Sequence, residues 1–195
     1  MAAPLHITMA NLTGDWVMNR KLADDPDSML ELQGVPWLKR KIILLATVTL
    51  SIKEYLDDNY ITHIDLEQTA TGGIQGTTEL RILDWSENSH VDHIFGTLKS
   101  QNRWVSNLKT VQSGKGGPLH PYLTEGWFVE KVGPNKESFL QNWVVNEENG
   151  WTVEQIWGFT KIKGKRYKTR KIVVTKGEKV LPLTLVYGWK GKPEQ

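Results

Sequence analysis

Apolar and polar residues alternate with a period of two through most of the chain, the pattern of strands with one buried face. Over 47–55, Val48, Leu50 and Ile52 stand against Thr47, Thr49, Ser51 and Lys53. Over 60–71, Tyr60, Thr62, Ile64 and Leu66 stand against His63, Asp65 and Glu67. Further strands are predicted over 76–83, 90–99, 103–108, 125–132, 138–146, 151–162, 167–175 and 179–189. Turn residues such as Asp57-Asp58-Asn59, Gly133-Pro134-Asn135, Glu148-Asn149-Gly150, Lys163-Gly164-Lys165 and Lys176-Gly177-Glu178 separate them. One stretch only has a helical period. Asp25 is a good N-cap, Pro26 stands where a helix tolerates proline, residues 28–33 follow, and Gly34 is a natural stop. Pro36 opens a second short helix from Trp37 to about Leu45. It carries Lys39, Arg40 and Lys41 on one side and Trp37, Leu38, Ile42 and Leu45 on the other.

One strand, two short helices and then about nine more strands leave edges that only closure removes. The expected fold is mostly β: a single closed antiparallel up-and-down β-barrel of about ten strands, with a short helix-turn-helix lid after the first strand. Residues 1–195 are read as one domain. The segment 107–124, which holds Gly114, Gly116, Gly117, Pro118 and Pro121, is too long for a hairpin and stands out as an insertion.

Composition narrows the chemistry. A chain of 195 residues buries roughly 70% of its unfolded surface and needs no staples. It has no cysteine, which excludes disulfides, thiolate metal sites and cysteine nucleophiles. Residues 1–10 lack the pattern of a secretory signal. The apolar run 42–46 falls far short of the ~20 residues that span a bilayer. A cytoplasmic protein without stable membrane insertion is expected. The net charge of +2 names no partner. The one lopsided segment sets Lys161, Lys163, Lys165, Arg166, Lys168, Arg170, Lys171, Lys176 and Lys179 against Glu178. It reads as solvated strand faces beside tight turns rather than as a nucleic-acid or membrane contact, so no nucleic-acid partner is expected. Oligomeric state is left open. The nine tryptophans point to an aromatic core or an aromatic-lined pocket.

The run Leu12-Thr13-Gly14-Asp15-Trp16 resembles the Gly-x-Trp opening of calycins, the superfamily of lipocalins and intracellular fatty-acid-binding proteins. Residues 32–41, Leu-Gln-Gly-Val-Pro-Trp-Leu-Lys-Arg-Lys, are similar to the helix-turn-helix of fatty-acid-binding proteins at the same distance from the tryptophan. The resemblance covers residues 12–56 and implies a barrel folded around an apolar small molecule. Fatty-acid-binding proteins hold the ligand carboxylate with an arginine two residues before a tyrosine on the last strand. Here Tyr187 matches the tyrosine, but Leu185 occupies the arginine's place. A buried carboxylate there would lack its charged partner, at a cost of several kcal/mol. A neutral, polycyclic or terpenoid-like ligand is therefore expected.

His63, Asp65 and Glu67 share a strand face and read as solvated. His90 and His93 point to opposite faces, and His120 lies in the insertion. No nucleophile elbow, phosphate loop or dinucleotide fingerprint is present. Two functions remain, a carrier of a hydrophobic metabolite and an enzyme that needs little acid–base machinery. The chain is similar to small fungal lipocalin-like proteins that act as Diels–Alder-type cyclases. That resemblance implies a cofactor-independent pericyclic, hetero-Diels–Alder-type cyclisation in terpenoid or polyketide biosynthesis. A non-catalytic intracellular carrier is the alternative. The inward faces of the first and last strands supply Arg20 and Tyr187 as candidate hydrogen-bond donors. Trp16, Met18, Leu183 and Leu185, with Trp104, Trp127, Trp143 and Trp157 from successive strands, are the candidate ligand-binding residues. No metal site or cofactor is expected.

Overall fold

The computed structural model describes residues 1–72, 76–129 and 138–192. Its elements run β1 (Gly14–Met18), α1 (Asp27–Leu32), α2 (Trp37–Leu45), β2 (Val48–Leu56), β3 (Thr62–Ala70), β4 (Thr77–Ile82), β5 (Asn88–Asp92), β6 (Gly96–Val105), α3 (Pro121–Thr124), β7 (Phe139–Asn146), β8 (Trp151–Ile162), β9 (Lys165–Lys176) and β10 (Lys179–Gly191). The strands form one antiparallel sheet in the order β4-β3-β2-β1-β10-β9-β8-β7-β6-β5, so the two ends of the chain meet at β1 and β10. The sheet curls into a nearly closed barrel. The outermost strands β4 and β5 share no ladder; side chains and the connector close that seam. The Trp85 N–H donates to the Asn102 carbonyl at 2.8 Å, and Arg81 Nη1 donates to Asn102 Oδ1 at 2.8 Å. The barrel, its strand number and the helix pair after β1 are as the sequence predicts.

Period-two alternation fills the interior. Trp16, Leu50, Ile64, Leu66, Leu140, Trp157 and Val174 are fully buried in one continuous cluster. Gly14 makes the first strand possible. Its φ is +145°, and a Cβ there would lie 2.2 Å from the Trp189 ring, so only glycine fits beneath that indole.

Three expectations change. The strand predicted over 90–99 contains a turn, so β5 ends at Asp92 and β6 absorbs the start of the strand predicted over 103–108. Asp92 Oδ1 accepts from the backbone N–H of Ile94 and Phe95 at 2.7 and 2.9 Å, and Gly96 has φ +79°. The apolar residues Ile94 and Phe95 disguise this side-chain-capped turn as strand. Residues 125–129 of the strand predicted over 125–132 are not in a strand. The rest of that segment, the turn Gly133-Pro134-Asn135 and Gly73-Ile74-Gln75 lie outside the described residues.

The third change concerns the lid. Arg40 is buried, while Trp37, Leu38 and Leu45 of the same helix are exposed. The cause is α1: Asp27 and Glu31 meet the Arg40 guanidinium at 2.8 and 3.2 Å. An arginine paired in this way can be enclosed, and it ties the two short helices together. No helix among the described residues is long and apolar enough to cross a membrane.

The insertion 107–124 folds back over the outside of the barrel. Leu108, Leu119 and Leu123 pack on Phe139, Ile156 and Val173 to form a second apolar cluster. Glu154 on β8 pins it, accepting from Ser113 Oγ at 2.5 Å and the Gly114 N–H at 3.0 Å.

Candidate functional site

A cavity of about 210 Å³ lies between the sheet and the lid. Towards the lid its walls are apolar: Met18, Met29, Ile43, Val48, Phe95 and Leu185. Trp151 closes one side, its indole donating to the Gln33 carbonyl at 3.1 Å. Deeper in the barrel the lining becomes polar, with Glu79, Arg81, Asn142, Gln155, Arg170 and Tyr187.

The polar end comes from the alternation of β9. The inward residues, read from the lid downward, are Val174, Ile172, Arg170, Lys168 and Arg166. All five are buried, and Lys168 has no exposed surface. The basic segment expected on solvated strand faces therefore turns three of its cations into the barrel. Aromatic rings from the neighbouring strands receive them. Register places Arg170 between Trp157 on β8 and Leu185 on β10, and Lys168 between Phe159 and Tyr187. The Arg170 guanidinium lies 3.9 Å from the Trp157 ring centre, with Arg81 at 4.8 Å and Lys168 Nζ at 4.4 Å from the same indole. Cation–π attraction of this kind offsets part of the cost of desolvation.

Arg166 has an anchoring role. Its guanidinium donates to the Pro4 carbonyl at 2.7 Å and to the Ile7 carbonyl, fixing the N-terminal segment under the barrel. Arg81 is paired with Glu79 and donates to Asn102 Oδ1, which also accepts from Asn142 Nδ2 at 3.0 Å. Gln155 Oε1 accepts from the Trp157 indole at 3.2 Å. Arg170 Nε and Nη2 and Lys168 Nζ are buried and have no hydrogen-bond partner among the described residues.

Electrostatics follow from this crowding. Burial, then the charges of Arg170 and Arg81, hold the Lys168 ammonium well below the usual lysine range, with Glu79 opposing weakly. Burial alone would raise the Glu79 carboxyl, but Arg81 and Arg170 overcome it and keep it below its ordinary value. Burial pushes the Tyr187 phenol up. The deep end thus holds one carboxylate against two guanidiniums and an amine, with a phenol that stays protonated. Donors in a dry pocket act strongly on any oxygen placed before them.

Of the residues predicted from sequence, Met18, Leu185 and Tyr187 line this cavity. Leu183 packs in the same core. Trp16 lies beneath, edge-on to Trp189 at 4.8 Å, with its indole bonded to the Leu12 carbonyl. Trp157 is buried under the guanidiniums. Trp104 is half-buried, and its indole donates to Thr62 Oγ1 at 3.0 Å. Trp127 and Trp143 lie outside the barrel. Trp127 packs edge-on to Phe139 at 5.5 Å, and Trp143 lies against Gly114, whose added Cβ would meet its ring at 2.1 Å. Arg20 is not brought to Tyr187. Its guanidinium bonds the carbonyls of Ile43, Leu44 and Ala46, capping the C-terminus of α2. Sequence reasoning missed Glu79, Arg81, Lys168 and Arg170. A signal was present: Arg166, Lys168 and Arg170 share parity with Ile172 and Val174, the apolar face of their own strand.

No protein-family model matches the chain. Two curated proteins align over nearly all of it. The probable pericyclase scpY of Mollisia scopiformis is 36% identical over 191 residues, 97% of this chain and 95% of that protein. The pericyclase pydY of an Acremonium species is 33% identical over 192 residues, 98% of each. Among solved structures, the Schistosoma mansoni fatty acid binding protein in complex with arachidonic acid superposes with a TM-score of 0.57 at 15% identity. It covers 95% of this chain and all of that one. The apo Caenorhabditis elegans lipid binding protein 8 gives 0.55 at 12% identity, over 95% and 99%. The latter two share the fold.

Proposed function

The chain belongs to the pericyclase family represented by these two proteins, and from that premise we propose that it folds an apolar, conjugated small molecule into a cyclising shape and promotes its pericyclic closure. The reaction we assign is of the hetero-Diels–Alder type, in terpenoid or polyketide biosynthesis, without a cofactor. The observation that carries this reading is the division of the cavity into an apolar chamber under the lid and an end lined by the Arg170 guanidinium and the Tyr187 phenol.

In a pericyclic step, bonds form and break around one ring with no net proton or electron transfer, so no nucleophile or base is required. The protein's work is positioning and polarisation. The walls around Met18, Leu185 and Phe95 exclude water and hold the reacting ends near one another, which converts an improbable encounter into a frequent one. Arg170 and Tyr187 donate to a carbonyl oxygen of the conjugated system and draw electron density from it. One such donor is worth about 10²–10³ in rate at a dry site. In this reading Tyr187 keeps the donor role expected from sequence and Arg170 takes the one assigned to Arg20. Trp157 supports Arg170 from behind. The cytoplasm is the setting we expect.

The test is a reaction in which an ortho-quinone methide and an electron-rich alkene combine spontaneously, with the purified chain added. An accelerated reaction or an altered product ratio, reduced in Arg170→Met and Tyr187→Phe, supports the cyclase. A bound substrate released unchanged, with the product ratio of buffer alone, supports the second reading. That reading is a carrier of a hydrophobic metabolite, which the likeness of fold to fatty-acid-binding proteins favours.

A further inference from the structure

We propose that the molecule taken by this cavity carries an acidic group and binds as its anion, with the charge resting on Arg170 and Arg81. The proposal deepens the ligand-binding reading above by naming a substrate class, and it applies to a substrate or a carried ligand alike.

The charges at the deep end do not balance. Among the described residues the cavity lining holds two carboxylates, Glu79 and Asp92, and Glu79 is paired with Arg81. Arg170, 6% exposed, makes no ion pair among the described residues and feels Glu79 only through its field. Leaving a buried charge uncompensated costs several kcal/mol, and the rings of Trp157 and Tyr187 return only part of that. An anion entering the cavity supplies what is missing.

The geometry also names the shape of the anion. Arg170 lines the cavity, and its buried Nε and Nη2 have no hydrogen-bond partner among the described residues. A guanidinium matches two oxygens sharing one negative charge. A carboxylate has this form, and so does the enolate of a 1,3-dicarbonyl. Arg81 and Tyr187 line the same end of the cavity. Lys168 lies behind them, its Nζ 4.9 Å from the Tyr187 ring centre, where an arriving anion favours its protonated form. The neutral ligand expected from Leu185 is thus set aside: β10 lacks the cation, and β9 supplies it.

Two matched probe pairs test this, read by quenching of the intrinsic tryptophan fluorescence of the full chain. One pair is deca-2,4-dienoic acid and its methyl ester. The other is a 2-acylcyclohexane-1,3-dione of similar chain length and its enol methyl ether. At a pH where both acids are ionised, at least one anion should bind about ten-fold or more tighter than its neutral partner, equivalent to 1.4 kcal/mol. Arg170→Met should remove that preference by weakening the anion more than its neutral partner. Preference for the dienoic acid identifies a carboxylate; preference for the dione identifies an enolate. Neutral partners that bind as tightly as the anions in both pairs overturn the proposal. So does a preference that survives in both Arg170→Met and Arg81→Met. If those variants do not fold, the probe pairs on the unaltered chain decide. An anion preference in a protein that leaves product ratios unaltered upholds this inference and rejects cyclisation. Cyclisation indifferent to charge does the reverse.

Discussion

Leu185 and Arg170 face each other across the ladder between β10 and β9, so the cavity keeps a buried cation beside the place where the last strand has an apolar residue. Leu185→Arg should therefore set two guanidiniums side by side with no anion between them, at a cost of about 3–5 kcal/mol. The exchange Leu185→Arg with Arg170→Leu should recover most of that loss. Urea denaturation of the single and double variants measures both; equal midpoints would refute the pairing.

Lys168 has no exposed surface, no hydrogen-bond partner among the described residues, and two guanidiniums nearby. Lys168→Met should stabilise the fold by on the order of 1–4 kcal/mol, as apolar replacements of buried ionic groups often do. The same change should weaken binding of an anionic probe. A rise in melting temperature with reduced affinity is the expected pair of results, and a fall in both would show that the amine supports the fold.

Glu54 gives the barrel a pH dependence. Its carboxyl is partly buried and accepts from the Leu12 N–H at 2.8 Å. Burial outweighs that bond and pushes it from 4.5 up to about 7. The folded chain therefore holds a proton that the unfolded chain has released. The stability this contributes is fully present below about pH 4.5 and is lost as pH rises through about 7. Glu54→Gln should flatten that part of the stability profile, as read from denaturation midpoints across the same window.

Arg20 caps the last turn of α2. Arg20→Ala should loosen the lid by roughly 0.3–1 kcal/mol, the scale of a cation at a helix C-terminus. Release of a bound probe should then be about two- to five-fold faster with the product ratio unchanged. Stopped-flow dissociation measures the first and product analysis the second; a changed ratio would return Arg20 to the chemistry.

The outer clamp is independent of the cavity. Glu154→Ala leaves Ser113 Oγ and the Gly114 N–H without their acceptor, while Gln141 Nε2 keeps the Gln112 carbonyl, which should cost about 1–3 kcal/mol. Probe affinity should change little. Proteolysis within 107–124 should become faster, and unchanged susceptibility would show that the apolar cluster holds the insertion unaided.

The barrel was legible because its local signals agree. Alternation marks strands such as β2 and β3, Gly14 sits two residues before Trp16, and Gly34 and Pro36 separate two short helices. The site was legible only in part. Alternation states which residues share a face but does not state which face is inside. On β9 the residues that alternate with Lys168 and Arg170, on the opposite face, are Tyr167, Thr169 and Lys171, so charge alone gave no contrast. On β7 and β8 the insertion covers the outer surface, so Trp143 and Ile156 are buried although they point away from the barrel. The lid misled for another reason: the side of α2 that turns inward was set by Asp27 and Glu31 on α1, a pairing that the periodicity of α2 itself does not contain.

The seam between β4 and β5 joins segments only a few residues apart, and side chains hold it. The opposite junction, β1 with β10, is a true ladder, and Lys190 reaches Asp15 there across 175 residues of chain. Joining segments that distant carries the largest entropic penalty in the molecule, and a backbone ladder, shifted in register once between Asp15 and Trp16, falls where that penalty is greatest. On a ribosome, the opening strand emerges long before its partner exists. It stands unpaired on one side until β10 has been made, so the barrel closes late, with β10 fitting between β9 and β1.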